Sequence, residues 1–370
     1  MSDCKSNISL ADYFFIIFIL SLLIFPTLNI FAPKEKVYEP RETTPYTPLF
    51  NQSGKLNLSY GKELTPWFND IFLGRNYLVK YYNLLNYKIN RFPKIKQARV
   101  GRDNWIFFTE HHSIEKYQNI APLTQKDLEN ITTYLMTYQN WCQAHKKSFY
   151  FVVIPDKHRI YDEYLPYINQ LKNPSRITQL LNYLHTHTQI KTIDLTETLI
   201  SHKKPDLLFW KNDTHWNDMG AYLGYKEIYQ TLRKDYPDLQ ETYAQNYQYI
   251  SHEKGDLSVM FPQTSANTYP ETYIQPILKY KNPFPVTNQR FNLRIENPHN
   301  RYKLFIQHDS FGKYLIPYFF NTFAEVQTKW PVLPLGLHEN IKSMEQADII
   351  IIETVERYLE NFNLQGKTAD

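Results

Sequence analysis

Phe149-Tyr150-Phe151-Val152-Val153-Ile154-Pro155-Asp156-Lys157 is an unbroken apolar run that ends in a Pro-Asp turn signal. A run of strand length with no polar alternation predicts a strand covered on both faces. Just before it, Pro122 to Lys146 has helical spacing, with Leu128, Ile131, Leu135, Tyr138 and Cys142 on one face. Thr124 and Asp127 form a capping-box start for that helix. Further along, the patterning predicts a helix near Ser175 to His187, a strand at Thr192 to Leu195 and a helix at Ala221 to Arg233. A strand at Tyr302 to Ile306, a helix at Lys313 to Phe323 and a buried strand at Ala347 to Ile352 follow. Strands alternating with helices indicate an α/β sandwich with a mainly parallel sheet. Tyr236 to Arg301, rich in Tyr, Asn and Pro, reads as a lid-like insertion or a β-rich excursion. Trp67 to Tyr87 has helical spacing, and Val100 to Phe108 reads as a turn entering a short strand.

A chain of 370 residues can bury a real core, and its net charge of +4 lacks the basic stripe of a nucleic-acid binder. Its aromatic richness suits a protein that stacks on sugar rings, and suits biased genome composition equally. Cys4 and Cys142 flank a hydrophobic segment, so no intrachain disulfide and no metal cluster are expected. That segment, Tyr13 to Ala32, is uncharged and about the ~20 residues long that a membrane helix needs. No A-x-A cleavage site follows, which favours a retained signal anchor. Lys5 before it and Lys34, Lys36 and Arg41 after it leave the orientation unresolved by charge. The expected organisation is a short segment 1–12, a transmembrane anchor 13–32, a Pro-containing tether 33–60 and one domain 61–370. The irregular insertion would occupy about 236–301.

Two segments carry the chemistry: Phe209-Trp210-Lys211-Asn212-Asp213-Thr214-His215-Trp216-Asn217 and Phe305-Ile306-Gln307-His308-Asp309-Ser310-Phe311-Gly312. Ser310 lies where a buried strand gives way to a helix, which exposes a hydroxyl at the carboxyl edge of a sheet near helix N–H groups. It fits a nucleophile, and it also fits an ordinary N-cap. Gly312 allows close approach of a substrate. A serine needs a base, and His215 is suited to that near neutral pH. Asp213, two residues earlier, can hold the other imidazole nitrogen if the segment is a loop. A surface histidine or a metal-ligand pair are the alternatives, and no further His, Cys or carboxylate cluster is seen nearby to support a metal. Asn212-Asp213-Thr214 matches a glycosylation tripeptide, but a glycan there would obstruct Asp213.

The order of these segments resembles the alginate O-acetyltransferase family, of the AlgJ and AlgX type. Asp213-Thr214-His215-Trp216-Asn217 before a helix, and Asp309-Ser310-Phe311 after a strand, match its site motifs. GRDNWIFF is similar to the family's G-x-D-G-W-L-F stretch, with Asn104 in place of the second glycine. FNDIFLGR, IPDKHRIYDEYLP, GDLSVMF and ETVERYL also have counterparts, so the resemblance runs from about Trp67 to Leu359. It implies an SGNH-hydrolase-like three-layer α/β sandwich, with Ser310 as nucleophile, His215 as general base and Asp213 as the acid that orients it. His308 stands where common SGNH enzymes have glycine, and their G-x-N-D oxyanion block is not visible. Asn217, Trp216 and Lys157 are the candidates for oxyanion or substrate contacts. They serve equally well as a helix cap, a core aromatic and an ion-pair partner.

The resemblance implies transfer of an acetyl group through acetyl-Ser310 to a polysaccharide hydroxyl, with no bound cofactor and no metal. The acetyl donor would come from a membrane-bound O-acyltransferase, with this chain single-pass in a bacterial inner membrane and its domain on the periplasmic side. A carbohydrate acetylesterase would use the same residues with water as acceptor. A non-catalytic polysaccharide-binding scaffold is the third reading.

Overall fold

The computed structural model describes residues 10–27, 46, 48–50, 54–71, 94–95, 97–165, 168–252, 255–260, 271–278, 294–296, 300–330 and 337–363. The chain divides into two compact units, Met1–Pro93 with Val259–Thr264, and Lys94–Ser258 with Ser265–Asp370.

In the first unit a helix of 18 residues spans Leu10–Thr27 and leaves Phe14, Phe15, Ile17 and Phe18 exposed. At 1.5 Å per residue it covers about 27 Å, short of the ~30 Å bilayer core. Among the described residues no helix is long and apolar enough to cross a membrane, so the transmembrane span expected over Tyr13 to Ala32 is not shown. A second helix, Tyr60–Ile71, brings Trp67 edge-on to Tyr46 at 4.9 Å between ring centroids. The rest of the helix expected up to Tyr87, and most of the expected tether, lie outside the described residues.

The second unit opens with a small antiparallel sheet of β1 (Lys94–Ile95), β2 (Ala98–Val100) and β3 (Ile106–Phe108). Asp103 and Asn104, in the turn between β2 and β3, have φ of 51° and 61°. That left-handed region suits glycine and tolerates asparagine, which accounts for Asn104 where the family has glycine. The remaining strands are β4 (Ser148–Ile154), β5 (Lys191–Asp194), β6 (Ala244–His252), β7 (Glu271–Leu278), β8 (Arg294–Glu296), β9 (Lys303–Gln307), β10 (Glu325–Lys329) and β11 (Ile349–Val355).

Six of these form the central sheet, in the order β5-β4-β11-β9-β10-β8. Five are mutually parallel and β8 runs antiparallel at the edge. Helices cover both faces, and side-chain alternation divides the core accordingly. Tyr150, Val152 and Ile154 join Ile349, Ile351 and Ile306 on one face, under the helices Asp218–Arg233 and Gly312–Thr322. Phe149, Phe151 and Val153 join Ile350, Ile352 and Phe305 on the other, under Gln125–Ala144 and Arg176–His187. The expected capping box is present: Asp127 N–H donates to Thr124 Oγ1 at 3.1 Å and Thr124 N–H to Asp127 Oδ2 at 2.8 Å. Cys142 is fully buried on that helix, and burial pushes its thiol up to about 12.

Because β11 lies between β4 and β9, three carboxyl ends meet at one edge: Asp156 after β4, Ser310 after β9 and Glu356 after β11. Open α/β sheets place ligands at such an edge. The expected irregular stretch contains the antiparallel hairpin β6–β7.

Candidate active site

The segment carrying His215 is a tight loop. Phe209 bridges to Trp216, Trp210 N–H donates to His215 O at 3.3 Å, and Asn217 N–H donates to Leu208 O at 2.9 Å. Lys157, 2% exposed, lies beneath the loop. Its Nζ donates to Asp213 O at 2.6 Å, Trp210 O at 3.2 Å and Lys211 O at 3.3 Å. One ammonium thus ties down three carbonyls of the loop, a use that leaves it no donor for a substrate. Burial pushes Lys157 down to about 7, against the pull of Asp213 and Asp256.

Held this way, Asp213 and His215 meet although only two residues apart. Asp213 Oδ1 accepts both the backbone N–H of His215 at 3.0 Å and its ring Nδ1 at 2.6 Å. The proton between them is assigned to Nδ1, as that acceptor requires. Burial alone would raise the Asp213 carboxyl, but His215 and the N–H of Asp256 outweigh it and hold the acid well below the usual carboxylate range. The opposite ring nitrogen, Nε2, is buried and has no hydrogen-bond partner among the described residues.

Ser310 follows β9 in a turn and is half-buried. Its neighbour Asp309 builds that turn: Oδ1 accepts the Phe311 N–H at 2.8 Å and Oδ2 the Val355 N–H at 2.7 Å. Asp309 N–H donates to Glu353 Oε2 at 3.1 Å. Burial raises both carboxyls, and Asp309 raises Glu353 further. The helix Gly312–Thr322 has Phe311 at its N-cap and no side-chain cap, so Ser310 is not employed as one. Among the described residues no hydrogen bond joins Ser310 to His215, whose Nε2 has no partner.

Trp216 ties the two segments together. Its Nε1 donates to Phe311 O at 3.0 Å, and the Phe311 ring lies 5.0 Å from the His215 ring. Trp216 and Asn217 are both fully buried. Asn217 caps the following helix, accepting Gly220 N–H at 3.0 Å, while its amide donates to Leu207 O at 2.5 Å. Of the candidates for oxyanion or substrate contact, Trp216, Asn217 and Lys157 are therefore taken up in holding the loops. Gly312 is engaged likewise. Its N–H is bonded to Asp309 O at 3.2 Å, and a Cβ there would meet the His308 ring at 2.5 Å. The close approach that needs glycine is that of His308, the residue found where common SGNH enzymes have glycine themselves.

The sequence assigns no role to Asp256, although the residue lies in the GDLSVMF motif. Asp256 comes up beside the pair: its N–H donates to Asp213 Oδ2 at 3.0 Å, and its Oδ1 accepts Thr214 N–H at 2.7 Å. Its Oδ2 lies 3.6 Å from His215 Nδ1. Gly255 permits this, since a Cβ there would meet Asn212 O at 2.3 Å. The sequence shows no further carboxylate cluster nearby to support a metal, whereas the fold brings Asp256 in from a later loop. Asp213, His215 and Asp256 offer ligand atoms within 4.8 Å of one another and could hold a divalent ion. They are instead bonded to each other and to Thr214, so an ion would have to displace those contacts.

A family model, the SGNH hydrolase-like domain of acetyltransferase AlgX, matches residues 98–284, half of the chain. The chain belongs to this family. The match takes in Asp213, His215 and Asp256 and ends before Ser310. The probable alginate O-acetylase AlgJ of Pseudomonas putida is 27% identical over 138 residues, which are 36% of this chain and 34% of that protein. The chain thus matches about a third of the length of that curated relative. A DHHW family protein from Eubacterium siraeum shares the fold, with a TM-score of 0.50 at 16% identity over 73% of this chain and 96% of that one. The O-acetyltransferase domain of Pseudomonas putida AlgJ gives a TM-score of 0.46 at 18% identity, over 71% of this chain and 92% of that domain. The SGNH-hydrolase-like α/β fold with a mainly parallel sheet is that of the family.

Proposed function

We propose that this chain is an O-acetyltransferase that acetylates hydroxyls of a cell-envelope or exported polysaccharide through an acetyl-serine at Ser310. The observation that carries the reading is the Asp213–His215 pair, 2.6 Å apart, with a buried Nε2 lacking a partner, set against the turn that bears Ser310. In the first half-reaction Nε2 takes the Ser310 proton while Oγ attacks the acetyl carbonyl. The donor's alcohol leaves with that proton. In the second half a sugar hydroxyl gives its proton to Nε2 and attacks the acetyl-serine, and Ser310 recovers its proton. Asp213 holds the imidazole in the tautomer and orientation this needs. The Ser310 N–H, which has no partner among the described residues, is the first candidate donor to the oxyanion.

The donor would be passed on by a membrane-bound O-acyltransferase, with the domain on the periplasmic side of a bacterial inner membrane. The apolar run Tyr13 to Ala32 would anchor it. Sedimentation with membranes that survives high salt and is lost on deleting residues 1–45 checks the anchor; a chain that stays in the membrane without them rules it out.

Intact mass spectrometry of the full chain after exposure to a chromogenic acetyl ester tests the chemistry. One acetyl mass mapped to Ser310, missing from Ser310→Ala and His215→Ala, is expected. With an oligosaccharide present, acetylated sugar should form at the expense of free acetate. Acetate alone would make the protein an acetylesterase. No adduct and no turnover would leave a polysaccharide-binding scaffold.

A further inference from the structure

Resting on that reading, we infer that Asp256 is a positioning residue of the reaction, which locks the Asp213–His215 pair by a reciprocal clasp through Thr214. The two aspartates bind each other's loops rather than each other's side chains. Asp256 N–H donates to Asp213 Oδ2 at 3.0 Å, and Asp256 Oδ1 accepts Thr214 N–H at 2.7 Å. The Thr214 hydroxyl donates to Asp256 Oδ2 as well. Each carboxylate oxygen of Asp213 is thereby assigned. Oδ1 serves His215, and Oδ2 is held from behind so that the carboxyl cannot rotate away.

The clasp has its own support. Gly255 lets the second loop reach the backbone of Asn212, where a Cβ would lie 2.3 Å from the carbonyl oxygen. Ser258 N–H donates to Asn212 O at 3.0 Å, and Ser258 Oγ accepts Gly255 N–H at 2.9 Å. Gly255, Asp256 and Ser258 therefore form one turn that grips Asn212 to Thr214. An ordinary surface loop with an acid at its tip would make no such set of bonds to two consecutive residues of a candidate base segment. An asparagine there keeps the backbone N–H for Asp213 Oδ2 and a carbonyl oxygen for the Thr214 N–H, so it should do most of the work.

Three variants of the full chain test this, read by turnover of 4-nitrophenyl acetate and by the low-field proton resonance of the His215 Nδ1–H, assigned with His215→Ala. Asp256→Ala should lower kcat on the order of tenfold to a hundredfold, as for a displaced catalytic group. Its KM should stay within about twofold, since the substrate is not touched. Its low-field resonance should broaden or vanish. Asp256→Asn should keep the resonance and recover most of kcat. Thr214→Val should fall between them, and combined with Asp256→Ala it should add little, as expected of partners in one network. Asp256→Ala with wild-type kcat and an intact resonance overturns the inference. So does an Asp256→Asn variant as damaged as Asp256→Ala, which would assign the effect to charge. Should Asp256→Ala fail to fold, Asp256→Asn and Thr214→Val decide by the same criteria. A wild-type chain that shows the resonance but no turnover sinks the acetyl-transfer reading, while the variants' resonances still judge the clasp.

Discussion

Lys157 and His158 are adjacent, both 2% exposed, and both are pushed down by burial. Lys157 falls to about 7 and His158 to about 4. His158 is bonded through Nε2 to Phe108 O at 2.7 Å, which fixes the short helix Lys157–Ile160 against β3. The sign of the pH dependence is the same for both. An unfolded histidine takes up its proton near 6.5, the folded one only near 4, so between those values the unfolded state holds more protons. Folding stability therefore falls as pH drops from 6.5 to 4. Lys157 does the same over 7 to 10.5, so its contribution rises with pH there. Melting temperature followed from pH 4 to 6.5 should climb in the wild type. It should climb less steeply in His158→Gln, whose amide can still donate to Phe108 O but cannot titrate. Equal slopes would show that the imidazole is already charged when folded. With a buried lysine under the His215 loop and a buried histidine against β3, the frame of the site is set by desolvated groups rather than by surface charges.

At the scale of elements, legibility tracked burial. β4 and β11 were readable from their apolar runs because both faces are covered, and the helix Gln125–Ala144 from its stripe and cap. β10 was not foreseen. Its sequence Glu-Val-Gln-Thr-Lys has charged ends, and it is a strand because β9 and β8 pair with it on either side. Glu325 is nonetheless buried, with Lys303 at 3.2 Å compensating its charge. The stretch of the hairpin β6–β7 reads as either a lid-like insertion or a β-rich excursion for the opposite reason: Ala-Gln-Asn-Tyr-Gln-Tyr-Ile-Ser-His is mostly exposed and has no buried face to impose alternation. At the candidate site, Asp213 and His215 were legible because their relation is local. Asp256, Asp309 and Glu353 were not. Their contacts depend on the approach of the Gly255 turn and on the pairing of β11 with β9, where Ile352 faces Gln307. Nothing short of the register sets Glu353 beside Asp309.

Across the second unit as a whole, the motifs IPDKHRIYDEYLP and ETVERYL together form a buried ionic platform. β4 and β11 pair up to Ile154 and Val355, so the residues that follow them run side by side. Asp156 binds Arg357, and Arg159 binds Glu356 in a two-pronged pair, Nε to Oε2 at 2.9 Å and Nη2 to Oε1 at 2.5 Å. Lys116 and Arg176 reach Glu360 at 2.7 and 2.9 Å, bringing distant parts of the chain to the same place. Burial raises the Glu356 carboxyl even with the guanidinium against it, whereas at Arg159 burial is outweighed by the attraction of Glu356, which raises the guanidinium, so desolvation and attraction largely offset each other. Such a pair adds little to stability, but half of it is costly, because the charge left behind is buried and unmatched. Glu356→Leu or Arg159→Met alone should therefore lower the unfolding free energy by about 3–5 kcal/mol. The double replacement should regain a large part of that loss, since it leaves no orphan charge. Urea unfolding followed by tryptophan fluorescence measures all three. A double variant at least as unstable as the worse single one would mean that the pair itself holds the ends of β4 and β11 together. In that event the geometry between Lys157 on one strand end and Asp309 beside the other would depend on attraction across the platform. If the double variant recovers instead, the pair acts as a specifier of register: it makes every misaligned pairing of the two strands pay for a buried, unpaired charge, and so keeps the site's two halves in one arrangement.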